Sequence, residues 1–278
     1  MNLAYLPSPE TGVWHLGPIP VRAYALAIIT GVVVAVVLGE RRWQGRGGSA
    51  GVVTDVATIA VPFGIIGARI YHVITSPEPY LDDPVSALYV WQGGLGIPGG
   101  IAGGFLAAYV ICSRRGLSKS AFADAVAPGV VLAQAIGRLG NYFNQELFGR
   151  PTTLPWGLEI NPANPDAIAG ALAYHPTFLY ELLWNVGVAA VLIWADRRYR
   201  LGGGRVFALY VALYAVGRLW IESLRIDEAN ALFGLRVNHY VMGVLLIGAL
   251  VFLRLRRGVG REETIEPAAD PTVELAKD

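Results

Sequence analysis

Seven of the 22 basic residues in this chain stand apart from the others, and all seven are arginines: Arg22, Arg69, Arg138, Arg150, Arg218, Arg225 and Arg236. Three of them, Arg69, Arg138 and Arg218, fall inside long apolar segments. At ~1.5 Å per helical residue, Arg69 and Arg138 lie about 25 Å along their segments and Arg218 about 20 Å along its own. An arginine at the centre of a spanning helix costs about 2.5–3.5 kcal/mol, and less near an interface. Two readings are open. Each arginine can snorkel to the nearer headgroups and pair internally. Alternatively, the three line one cationic cavity that takes an anion. Phosphate suits such a cavity, because the planar guanidinium fork donates two parallel hydrogen bonds to it.

Carboxylates accompany these arginines. Tyr214, Arg218, Glu222 and Arg225 follow the spacing i, i+4, i+8, i+11, along one face of a helix. A plain Arg218–Glu222 pair and a Glu222 that orients Arg218 for a ligand both fit that spacing. Glu181 lies about 9 Å along a helix from His175. It stands beside Leu182, Leu183 and Trp184, where an isolated carboxylate is expensive and a partner is expected. That partner could be structural or part of a site. The densest polar run is Gly137-Arg138-Leu139-Gly140-Asn141-Tyr142-Phe143-Asn144-Gln145-Glu146-Leu147-Phe148-Gly149-Arg150. Its glycines let backbone fold sharply or approach a ligand, and its amides can donate to phosphate or ester oxygens. The same run also reads as a polar loop that caps a helix.

The elements that must position these residues are membrane helices. Of 278 residues, 54% are apolar and 15% charged, with 34 glycines and a net charge of +1. Mean hydropathy is +0.47. A soluble domain of this length needs more polar cover, so the composition argues against a soluble enzyme, a disordered regulator and a nucleic-acid binder. The single cysteine, Cys112, argues against a disulfide framework or a cysteine-rich metal site. A spanning helix needs about 20 mostly apolar residues. Seven segments come close, at 22–39, 52–74, 94–112, 121–138, 175–195, 205–224 and 237–255. The stretch 93–104 is rich in glycine and is a candidate for broken or re-entrant structure.

Arg41, Arg42, Arg46, Arg114, Arg115, Lys119, Arg197, Arg198, Arg200, Arg205, Arg254, Arg256, Arg257, Arg261 and Lys277 follow alternate segments, so 15 of 22 basic residues share one side. That side is expected to be cytoplasmic, with the N-terminus outside and the C-terminus inside. Residues 1–20 hold four prolines and no Lys or Arg, so no secretory signal is expected and the first apolar segment should remain. The expected organisation is an all-α polytopic membrane domain over 1–257, of about seven helices, and a disordered cytoplasmic tail over 258–278. Cys112, at the cytoplasmic end of the third segment, reads as a buried small hydrophobe.

The run Gly137-Arg138-x-Gly140-Asn141-x-x-Asn144-x-Glu146-x-x-Gly149 resembles the signature of the bacterial phosphatidylglycerol–prolipoprotein diacylglyceryl transferase family. Other stretches agree in order: Arg22-Ala23-Tyr24, Gly67-Ala68-Arg69, Gly93-Gly94-Leu95, Ala123-Asp124, His175 to Glu181, and Gly217-Arg218 through Glu222 to Arg225. The resemblance covers roughly residues 15 to 255. It implies transfer of the diacylglyceryl group of phosphatidylglycerol to the lipobox cysteine thiol of a prolipoprotein signal peptide, with release of glycerol phosphate. It implies a multi-pass protein of the bacterial inner membrane whose site faces the outer side, with no metal and no cofactor. Arg138 and Arg218 would hold the phosphate and stabilise charge on the leaving group. Asn141 and Asn144 would position headgroup and ester oxygens. Glu146 would orient Arg138 or a glycerol hydroxyl, and Glu222 would steady Arg218. Tyr24 and Tyr214 would be hydrogen-bonding walls. Arg69, Glu181, Gly149 and Arg225 would support or bind substrate at the same site.

One position departs from the family. Many members carry a histidine before the Gly-Gly of the third segment, where this chain reads Gly96-Ile97-Pro98-Gly99-Gly100. Proline takes no proton. Either another group serves as base or a cationic site lowers the thiol pKa sufficiently, with Glu146 a possible acceptor. Of the histidines, only His175 falls in a matching segment. An anion transporter is the rival from another class. It would spread cations through both leaflets, whereas here they gather toward one side.

Overall fold

The structure, a computed structural model, describes residues 5–227 and 231–267. The described elements are mainly helical: α1 (Ala23–Gln44), α2 (Val52–Thr75), the short α3 (Glu78–Leu81), α4 (Ile97–Arg114), α5 (Lys119–Asn144), α6 (Thr177–Tyr199), α7 (Arg205–Glu222) and α8 (Val237–Leu255). Two small antiparallel hairpins, β1 (Val13–Leu16) with β2 (Ile19–Arg22) and β3 (Ala231–Leu232) with β4 (Leu235–Arg236), lead into α1 and α8. Six of these helices are long and apolar enough to cross a membrane. The sixth expected segment, 205–224, forms α7 but is not among them, because its 18 helical residues include Arg205, Arg218 and Glu222. The chain is an all-α polytopic membrane protein.

Two compact units divide the chain: residues 1–39 with 123–261, and residues 40–122 with 262–278. In the second unit, α2 packs against α4 backbone to backbone. A Cβ on Gly67 would collide with the Gly99 carbonyl, one on Gly99 with the Gly67 carbonyl, and one on Gly103 with the Phe63 carbonyl. Close approach of this kind is how helices associate in lipid, where burial of apolar surface gives no advantage over contact with acyl chains. Of the glycine-rich stretch 93–104, residues 93–96 are non-helical, with Gly93 and Gly94 at φ of +98° and +72°, and one continuous helix begins at Ile97. Pro98 sits in its first turn, where a missing N–H removes no helical bond. Glu40 closes the start of α2 by accepting from the Gly51, Val53 and Thr54 amides at 2.6, 3.0 and 3.2 Å.

In the first unit, α5, α6 and α7 share a core of Ala127, Val131, Val188, Ala189, Leu192, Val206 and Tyr210. Helix α1 lies against α5, where a Cβ on Gly129 would approach the Ala35 carbonyl oxygen to 2.7 Å. Asp124, fully buried on α5, caps α7 by accepting from the Gly204 and Phe207 amides at 3.1 and 2.9 Å. The loop between α5 and α6 builds its own small core from Phe148, Leu158, Ile160 and Tyr174.

The segment after Gly258, expected to be a free polar tail, is ordered through Pro267. In the first unit Gly260 bridges to Leu201, and Arg261 pairs with Asp196 at 3.1 Å. In the second unit Glu266 accepts from Trp43 Nε1 at 2.9 Å and the Ser49 amide at 2.7 Å, and Ile265 accepts from the Ser118 amide at 2.9 Å. Specific polar partners offset the ordering entropy that composition alone left unopposed. Residues 268–278, the rest of the expected tail, lie outside the described residues.

Candidate functional site

Helices α5 and α7 end, and α6 begins, at one level of the first unit, so residues far apart in sequence meet there. Arg138 is six residues from the end of α5, Glu181 is in the second turn of α6, and Arg218 is one turn from the end of α7. Glu181, only 4% exposed, lies between the two arginines. Its Oε1 is 2.7 Å from Arg138 Nη2 and its Oε2 is 3.4 Å from Arg218 Nη1. The partner that burial demanded for Glu181 is thus both arginines at once.

Each guanidinium is also held from its own side. Arg138 Nη1 donates to Asn141 Oδ1 at 3.1 Å, and Asn141 Nδ2 donates to Glu146 Oε1 at 2.6 Å. Glu146 therefore orients Arg138 through Asn141. Gln145 and Leu147 flank it with φ of +51° and +59°, left-handed backbone that is strained for non-glycine residues and concentrates at functional sites. Arg218 Nη2 sits 2.5 Å from Glu222 Oε2, so the helical i, i+4 pair is formed. Tyr214 lies within the fields of Glu181, Arg138 and Arg218. Tyr24 lies within the fields of Glu146 and Arg138. Its ring occupies the place a side chain on Gly140 would take.

Glu222 is a second hub. Its Oε1 accepts from Arg236 Nη1 at 2.9 Å and Asn238 Nδ2 at 3.1 Å, and its Oε2 is 3.7 Å from Arg225 Nη1. Arg225 grips Asp227 with both arms, at 2.7 and 2.8 Å. Burial pushes the Asp227 carboxyl upward, but Arg225 and Arg236 outweigh it and hold it below the usual carboxylate range. The lattice balances four arginines (138, 218, 225, 236) against four carboxylates (146, 181, 222, 227).

The remaining expected residues are placed differently. Asn144 is exposed at the end of α5. Gly149 bridges to the Arg225 backbone, and a Cβ there would crowd His175 Cβ at 2.8 Å, so it knits the loop to the end of α7. His175 shares Nδ1 with the Tyr180 hydroxyl at 3.1 Å. Arg69, in the second unit, donates to the carbonyls of Ser86, Ala87, Tyr89, Gly93 and Gly94 at 2.6–3.5 Å. All five of its N–H groups are thereby engaged in folding the loop before α4.

Arg236 and Asp227 join the lattice without having been singled out as site residues. Their signal was available: a lone arginine at the foot of α8 and a carboxylate two residues after Arg225. The capping roles of Glu40 and Asp124 carried no local sign, since each carboxylate serves a helix that it does not belong to. Among the described residues, no group of three or more His, Cys, Asp or Glu side chains is arranged to hold a metal.

Apolar spanning helices around a buried arginine–carboxylate lattice define a multi-pass membrane protein with a polar site between its helix ends. The family model for prolipoprotein diacylglyceryl transferase matches residues 11–255. The chain is 61% identical over 257 residues to phosphatidylglycerol–prolipoprotein diacylglyceryl transferase 2 of Streptomyces coelicolor, covering 91% of this chain and 81% of that one. It is 56% identical to the corresponding enzyme of Streptomyces griseus, over 98% of this chain and 84% of that one. With that of Rhodococcus jostii the identity is 53%, over 95% and 78%. The chain belongs to the prolipoprotein diacylglyceryl transferase family.

Proposed function

We propose that this protein transfers the diacylglyceryl group of phosphatidylglycerol to the lipobox cysteine of a prolipoprotein signal peptide. A carbon–sulfur thioether bond forms at the glyceryl carbon, the carbon–oxygen bond to phosphate breaks, and glycerol phosphate leaves. The relatives are named for diacylglyceryl transfer between phosphatidylglycerol and a prolipoprotein, which supports the reading. The observation that carries the reading in this chain is Glu181 held between Arg138 and Arg218, which keeps two guanidinium forks facing one point.

Each fork has five N–H donors and commits only part of them to Glu181, Asn141 and Glu222. Those left over on Arg138 and Arg218 take the lipid phosphate. Negative charge grows on the departing phosphate oxygens, and fixed cations in a dry site stabilise it more in the transition state than in the bound lipid. Asn141 and Glu146 fix the Arg138 rotamer. Tyr24 and Tyr214 bound the site with hydroxyls, and exposed Asn144 meets the headgroup at its rim. The thiol loses its proton beside the guanidinium donors that Arg138 and Arg218 leave free, and a neighbouring guanidinium lowers a thiol pKa. Glu146, accepting from Asn141 and beside Tyr24, is the acceptor we assign. Arg225 and Gly149 hold the frame rather than the lipid, and Arg69 folds its own unit.

The distribution of Lys and Arg supports a site facing the outer side of the bacterial inner membrane. Gathering of Arg138, Arg218, Arg225 and Arg236 at one set of helix ends argues against a transport path, which needs cations along its length.

The test is the full-length protein in lipid nanodiscs, given phosphatidylglycerol and a lipobox peptide with Cys or Ser at the acceptor position. Mass spectrometry should find a diacylglyceryl thioether on the Cys peptide and nothing on the Ser peptide. No adduct on the Cys peptide would overturn the reading.

A further inference from the structure

The far end of α6 carries a second feature, about 24 Å along the helix from Glu181. A shallow, open groove along this one helix, about 550 Å³, is lined by Ala190, Ile193, Trp194, Arg197 and Arg198. These positions follow i, i+3, i+4, i+7, i+8, one face of a helix. The face continues through exposed Gly187, where even an added Cβ would touch nothing within 4 Å, so its floor is low. Trp194 is 59% exposed and stands edge-on to Tyr199 at 5.7 Å. An aromatic pair at a helix end is the pattern of a bilayer interface.

The charges are out of balance there. Arg197 and Arg198 are exposed, and neither meets a carboxylate among the described residues. The nearest acid in sequence, Asp196, is 2% exposed and already holds Arg261. Arg198 lies over the Tyr199 ring at 5.4 Å, which fixes its direction. The helix end itself contributes roughly half a negative charge, too little to neutralise two arginines.

We propose that this groove binds an anionic phospholipid of the leaflet opposite the Arg138–Glu181–Arg218 cluster. Arg197 and Arg198 take its phosphate, Trp194 packs beside its glycerol region, and one acyl chain lies over Ala190 and Gly187. The site is separate from the one assigned to the transferred lipid and does not depend on that assignment.

The test uses the full chain with Cys112→Ala and Val191→Cys, the new thiol carrying a fluorophore beside the groove, reconstituted in phosphatidylcholine bilayers. Spin-labelled phosphatidylserine is compared with spin-labelled phosphatidylcholine as quencher. The anionic lipid should quench at least about fivefold more at equal content, and Arg197→Gln with Arg198→Gln should bring the ratio to about one. In the protein with both arginines, raising salt from about 0.05 to 0.5 M should lower the ratio, as screening requires. A probe at Ile247→Cys, exposed halfway along α8, should show no preference. Equal quenching by both lipids beside the groove, or a preference indifferent to salt, would overturn the proposal.

Discussion

At the scale of single residues, the buried carboxylates of the proposed site each answer to at least two arginines. Glu181 and Glu222 are 4% and 2% exposed, yet neither is isolated. Removing one member of such a set leaves its partners uncompensated, which costs roughly 3–5 kcal/mol. Glu181→Ala is therefore expected to lower the apparent melting temperature in detergent as well as activity. Arg138→Lys separates the two effects. It keeps the charge but loses the fork that reaches Asn141 and Glu181 together, so kcat should fall about 10²-fold or more while the protein remains folded. Full activity in Arg138→Lys would show that the fork is unnecessary. The pH response is also a residue-scale matter. Asp227 is held below the usual carboxylate range by Arg225 and Arg236. Its contribution is complete above the unfolded value near 3.9 and is lost as pH falls through the lower folded value. Melting temperature should not respond to Asp227 between about pH 8 and 5, should fall below about pH 4, and should fall less in Asp227→Asn.

At the scale of elements, two devices recur. Glycine brings helix backbones together, and a carboxylate on one helix caps the next. A Cβ on Gly67 has no room against Gly99. Gly67→Val is expected to destabilise the α2–α4 pair by about 1–3 kcal/mol through overpacking, read as a lower melting temperature or poor membrane accumulation. Asp124→Ala removes acceptors from the Gly204 and Phe207 amides. A loss of about 1–2 kcal/mol follows from removing a cap, and Asp124→Asn should recover part of it. Recovery by Asn would mark Asp124 as an element-level residue despite its place in a family motif.

At the scale of the molecule, residues 259–267 belong to the fold. Residues 262–267 supply Glu266 to Trp43 and Ser49, and Ile265 to Ser118. Truncation before Glu262 should lower stability by about 1–3 kcal/mol, the net worth of a few hydrogen bonds. Diacylglyceryl transfer by the surviving protein should be unchanged, since the residues we propose for the site, Arg138 and Arg218 among them, lie in the first unit. A truncated protein that melts as the full chain does would mean that these contacts add nothing.

Composition and the spacing of charges determined the membrane class, the helical architecture, and the candidacy of Arg138, Arg218 and Glu222, because hydrocarbon thickness and the cost of buried charge act on the linear chain directly. The Arg218–Glu222 pair was readable for the same reason: its geometry is set by one helix. Tertiary structure alone decided that Glu181 serves both arginines, that Arg69 is fully engaged by loop carbonyls, that Asp124 caps a distant helix, and that residues 259–267 are ordered. Each of these depends on which helix faces which, and a hydrogen bond between residues tens of positions apart leaves no period in the sequence.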